Sequence, residues 1–78
     1  MIYINAHYTV VDVWNPRARP VMTIVECKNI AEAFHIFYKI TGDKNYADVH
    51  MSKTKPIVDS GKYRSELMTA DEFIINSM

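Results

Sequence analysis

With a single cysteine, two glycines and no net charge, this 78-residue chain can be excluded from several functional classes at once. Cys27 alone cannot build an intramolecular disulfide framework, and it fits a reducing compartment. Two glycines leave little material for a phosphate-cradling loop. The chain also carries no Gly-x-Ser-x-Gly elbow, His-Glu-x-x-His motif or paired-carboxylate signature. Nine Lys and Arg against nine Asp and Glu argue against a dedicated binder of the phosphate backbone, which carries a basic excess. Its apolar runs are only a few residues long, far short of the roughly 20 that span a bilayer. The start, Met1 to His7, lacks the basic residues and unbroken apolar stretch of a signal peptide. A cytoplasmic protein with no membrane partner is expected.

What the chain has is apolar content. Hydrophobic residues make up 49% of it, which excludes disordered and low-complexity classes. Surface scaling for this length gives a folded area of about 4,900 Å² and burial of about 60% of the unfolded surface. That supports one core, and hence one domain over residues 1–78, but no deep cofactor cleft.

Ile2, Ile4, Ala6, Tyr8 and Val10 alternate with Tyr3, Asn5, His7 and Thr9, the period of a half-buried strand. The phase slips at Val10-Val11, which predicts a β-bulge or a strand covered on both faces toward Trp14. Asn15-Pro16-Arg17-Ala18-Arg19-Pro20 breaks the strand, and Val21 to Cys27 pairs back as a long hairpin. Asn29 and Glu32 form an approximate capping box for a helix whose apolar stripe is Ile30, Ala33, Phe34, Phe37, Ile40 and Thr41. Gly42 is its expected left-handed stop. A third strand over 46–53 places Ala47, Val49 and Met51 on one face and Asp48, His50 and Ser52 on the other. Tyr63 to Met68 reads as a short fourth strand or a loop. Thr69 and Glu72 then form a true capping box, with Met68 and Phe73 as its hydrophobic staple. The order β-β-α-β-(β)-α predicts an α+β domain. It has a small antiparallel sheet of three to four strands, a main helix packed on one face and a short C-terminal helix.

Three histidines and one cysteine raise the question of zinc, but His7, Cys27, His35 and His50 stand on separate elements without the close pairs a structural site uses. No metal and no cofactor are expected. His7 and His50 share the polar side of their strands, where they can form a pH-sensitive patch. Cys27 lies beside Lys28 just ahead of a helix, a setting that can activate a thiol. Its alternation with Val21, Thr23 and Val25 instead favours a small buried side chain. A non-enzymatic protein is the expectation.

The neutral total hides segregation. Between residues 53 and 64, Lys53, Lys55, Lys62 and Arg64 face only Asp59, a local balance of +3. From Glu66 onward, Glu66, Asp71 and Glu72 give −3. With Tyr63, and with Arg17 and Arg19 in the hairpin connection, the basic strip can grip phosphates or simply form a solvated edge that resists strand addition. Nine aromatic residues exceed the about five or six that a core this size takes. Trp14, Arg17 and Arg19 are of the types that anchor interfaces and are the leading contact candidates, unless Trp14 closes the end of the fold. Lys53, Lys55, Lys62, Tyr63 and Arg64, or the acidic pair Asp71 and Glu72, would steer the approach.

The run from Val21 to Phe34, followed by Tyr46 to Lys53, is a strand-helix-strand layout. Over residues 21–53 it resembles the layout of small bacteriophage inhibitor proteins, such as anti-CRISPR proteins and phage inhibitors of host RNA polymerase. The resemblance lies in layout and carries over no residue role. It implies stoichiometric binding that blocks a host protein or nucleoprotein complex inside the host cell. The alternatives are a nucleic-acid-associated accessory module using the 53–64 strip, and a homo-oligomeric structural or assembly subunit.

Overall fold

The computed structural model describes residues 1–10, 14–15 and 18–77. Its elements are β1 (Ile2–Tyr8), β2 (Val21–Cys27), α1 (Ile30–Thr41), β3 (Tyr46–Ser52), β4 (Arg64–Thr69) and α2 (Ala70–Asn76). The α+β order read from the sequence holds, the short last helix is present, and the segment left open between a strand and a loop is a strand.

Alternation in β1 sends Ile4 and Ala6 to full burial beneath the helices, while Asn5 and His7 point to the opposite, open face. β2 pairs with it antiparallel, placing Val25 opposite Ile4, Thr23 opposite Ala6 and Cys27 opposite Ile2. Residues paired across strands share a face, so these side chains form one layer of the core. β1 ends sooner than the alternation predicts. At Thr9 the backbone N–H and the hydroxyl both donate to the Asn45 carbonyl, at 2.8 and 2.9 Å, and the chain leaves the sheet. The predicted slip at Val10-Val11 falls in part outside the described residues, which omit Val11, Asp12 and Val13.

An irregularity does occur, but in β3. Asn5 pairs with His50 while His7 pairs with Ala47, so β3 carries one extra residue. Asp48 there has φ 54°, the left-handed region that Asp tolerates better than most residues. The extra residue corrects the predicted face pattern. Val49 and Met51 pack on the core, whereas Ala47 shares the open face with His7. Tyr46 is carried opposite Tyr8, ring centroids 5.2 Å apart.

The sheet order is β3-β1-β2-β4. The expected antiparallel pairing holds for β1 with β2 and with β3, and β4 runs parallel to β2. β2 and β3 therefore point the same way with β1 between them, and α1 makes the crossover that such parallel strands require. The segment 53–63 makes the return crossover to β4. Two right-handed crossovers travelling in opposite directions lie on opposite faces of a sheet. Tyr63 accordingly meets His7 on the open face, ring centroids 5.6 Å apart at 82°. Ile24 also points to that face and is only 2% exposed, shielded without any helix.

Both helix starts follow their sequence signals. Asn29 Oδ1 accepts from the Glu32 N–H at 2.9 Å, and Glu32 Oε1 accepts from the Lys28 N–H at 2.9 Å. Thr69 Oγ1 accepts from the Glu72 N–H at 3.2 Å. Met68 and Phe73 both join the core. Gly42 departs from expectation: its φ of −78° is right-handed, and its N–H caps α1 by donating to the Tyr38 carbonyl. The stripe is also rotated. Ala33, Ile36 and Ile40 are fully buried, with Phe37 beside them, whereas Ile30, Phe34 and Thr41 are exposed. Ile36→Ala is expected to cost about 2–5 kcal/mol, and Phe34→Ala less than about 1 kcal/mol. Urea denaturation of the two variants checks this, and equal losses would contradict the rotated face.

Candidate functional site

Three segments converge where β1 ends and β2 and β4 begin. Arg64 N–H donates to the Pro20 carbonyl at 2.9 Å, and the Arg19 guanidinium donates to the Ser60 carbonyl. These bonds tie the hairpin connection to the 53–63 crossover. On the helix side they border a cleft of about 790 Å³ walled by β2, β4, α2 and the described part of the connection. Such a cleft exceeds what the chain length suggests. It lies where α2 covers only part of β2 and β4.

The cleft floor is aromatic. Tyr46 sits edge-on to Tyr8 and to Phe73, the latter with centroids 6.3 Å apart. Burial raises the Tyr46 phenol above its ordinary range, and the neighbouring Tyr8 and Asp43 add to this; the Thr23 hydroxyl, hydrogen bonded to it, pulls the other way. Tyr46 is therefore a neutral phenol at ordinary pH. Arg19, Arg64 and Glu66 line the walls. Sequence reasoning found Arg19 and Arg64 but missed Tyr8, Tyr46 and Glu66, because only the bulge in β3 and the parallel placement of β4 bring them together.

The other predicted contact residues are dispersed. Trp14 is 92% exposed, which removes the reading in which it closes the end of the fold. Arg17 lies outside the described residues. Lys53, Lys55, Lys62 and Arg64 are all exposed, yet they form no single strip. Ser52 lies level with Tyr3, and Arg64 lies level with Val21, which pairs with Tyr8. The two pairs of cations thus stand roughly 20 Å apart, at opposite ends of the sheet. Tyr63 and Arg64, adjacent in sequence, project to opposite faces. Asp71 and Glu72 occupy the first turn of α2, where the helix dipole favours acidic groups. Glu72 is further engaged with Thr69.

Among the described residues no three His, Cys, Asp or Glu side chains gather as metal ligands. His7 and His50 share the open face, in neighbouring registers of β1 and β3, while Cys27 lies in the core on the other side and His35 is exposed on α1. No helix among the described residues is long and apolar enough to cross a membrane.

One surface was hidden in the sequence. Ile30, Phe34 and Tyr38 stand four residues apart on the outward face of α1, 52%, 45% and 69% exposed. The rings of Phe34 and Tyr38 stack with centroids 6.1 Å apart. Their spacing looks the same as that of a core stripe, and only packing shows which of two adjacent stripes is inside.

No family model, curated protein or solved structure matches the chain. Function must therefore be argued from these surfaces.

Cys27 is not exposed at all, and burial raises its thiol above the ordinary range, with the Glu32 carboxylate adding to the shift. The folded chain holds this proton more tightly than the unfolded one. The resulting stability is complete below the ordinary thiol pKa of about 8.5 and is lost as pH rises through and above it. Urea midpoints should fall from pH 8 to 10, with a shallower fall in Cys27→Ala. A thiol reagent at pH 8 should label Cys27 only at the rate of unfolding, and rapid labelling of the native protein would contradict the buried site.

Proposed function

We propose that this protein acts by binding, as a stoichiometric inhibitor that occupies the surface of a host protein or nucleoprotein machine. This is the activity implied by its resemblance to small bacteriophage inhibitor proteins. The observation that carries the reading is the outward row of Ile30, Phe34 and Tyr38 on α1. A rigid, capped helix offering apolar and aromatic side chains at four-residue spacing is the form in which helices enter apolar grooves. Two aromatic rings already stacked lose little side-chain entropy when a partner covers them. Lys39 and His35 on the same exposed side give the row a polar rim, the usual anatomy of a contact surface.

Trp14 supplies a second exposed aromatic in the hairpin connection. A nucleic-acid reading finds less support, because the cations it needs are split between the two ends of the sheet. Catalysis by Cys27 also finds little support, since its thiol is buried.

The test is capture of a host partner at one-to-one ratio by the wild-type chain, followed by the variant F34S/Y38S. The variant should keep its unfolding midpoint and lose affinity by about thirtyfold or more, the effect of removing interface anchors. Unchanged affinity, or no stoichiometric partner at low and moderate salt alike, would sink the proposal.

A further inference from the structure

The two edges of the sheet differ. β3 is bulged at Asp48, whose left-handed backbone interrupts the ladder. Such bulges protect an edge from pairing with another strand. β4 carries no bulge. It runs in unbroken register with β2 from Arg64 to Thr69 and contains neither glycine nor proline. Arg64, Ser65, Glu66 and Leu67 are all exposed, Leu67 by 47%.

We infer that β4 is a homodimerisation edge, pairing antiparallel with β4 of a second copy about a two-fold axis through Ser65. Backbone geometry sets the parity. The Arg64 N–H is directed to Pro20 beside β2, so in a parallel pair the peptide groups of Arg64, Glu66 and Met68 face inward. Those of Ser65 and Leu67 face outward and are available to another chain.

Charge then sets the register. With Ser65 opposite Ser65 of the second copy, Arg64 of each chain lies across from Glu66 of the other. Both belong to the helix side of the sheet and form non-hydrogen-bonded pairs, in which cross-strand side chains come closest. Leu67 of each chain meets Tyr63 of the other on the open face, beside the ring contact of Tyr63 with His7. A slip of two residues one way sets Glu66 against Glu66, and the other way sets Arg64 against Arg64. The segment Tyr63-Arg64-Ser65-Glu66-Leu67 is self-complementary in one register only.

The Tyr63 N–H is already donated to the Asp59 carbonyl, so the pairing adds about four backbone bonds between chains. So short a ribbon covers less than a standard interface, and the dissociation constant should lie in roughly the 10–500 μM range. The inference does not depend on the proposed inhibitor role.

Sedimentation equilibrium from about 5 μM to about 1 mM, in low salt, tests it. The wild-type chain should pass from monomer to dimer. R64E and E66R should each weaken the dimer about thirtyfold, because two attractive pairs become repulsive. An equimolar mixture of the two variants should dimerise again, since one then carries two acids where the other carries two arginines. Ser65→Pro should be folded by circular dichroism and monomeric, because its lost N–H faces outward. A wild-type chain that stays monomeric throughout, a dimer indifferent to R64E, or variants that fail to associate when mixed would each overturn the inference.

Discussion

The packing of Ala33, Ile36 and Ile40 onto Ile4, Ala6, Val25 and Cys27 is the interaction on which the rest of the molecule depends. All seven side chains are fully buried, and they join one helix to the two central strands. Ala33 and Ala6 let the helix and the sheet approach closely, and the isoleucines fill the space above and below them. Because β1 is central, with β2 and β3 on either side, its two buried residues fix the inner face for the whole sheet. Once α1 covers that face on the way from β2 to β3, the return segment 53–63 is left the opposite face.

Two functional consequences follow from this division. The return crossover carries Lys53, Lys55, Lys62 and Tyr63 over the open face and spreads the cations instead of concentrating them. It also delivers β4 parallel to β2 at an edge, where α2 can cover only part of it. The cleft beside Tyr46 and the exposed side of β4 are both products of that incomplete cover. A chain of this size cannot bury everything it has, and the apolar side chains it leaves out include Ile30, Phe34 and Tyr38 on α1, Leu67 on β4, Ile75 on α2, Ile57 in the return crossover and Trp14.

The local elements were legible because their signals are short-range. Asn29 with Glu32, and Thr69 with Glu72, mark helix starts through bonds made within four residues. Alternation in Ile2 to Tyr8 and in Val21 to Cys27 marks two strands, and the Asn15-to-Pro20 break between them reads as the turn of a hairpin, which makes them antiparallel. Ile36 was missed for a physical reason. Eight of the twelve residues of α1 are aliphatic or aromatic, so two overlapping stripes satisfy the helical period, and only the sheet beneath selects one. The bulge at Asp48 was invisible because an unbroken alternation satisfies the same residues until the register with β1 is known.

The contact residues divide along the same line. That Arg19, Lys62 and Arg64 are exposed follows from their types and their neighbours in the chain, whereas the exposure of Trp14 was decided by the fold. That Arg19 binds the carbonyl of Ser60, that Tyr63 and Arg64 part to opposite faces, and that Tyr46 joins Tyr8 and Phe73 beneath a cleft depends on strand order and crossover side. The sequence by itself determined most of the elements, both helix starts and the absence of net charge, since these rest on dihedral preference, local hydrogen bonds and simple counting. Tertiary structure decided which face of α1 is covered, which way β4 runs and how the charges are parted. Those depend on contacts between residues far apart in the chain, and local pattern does not encode them.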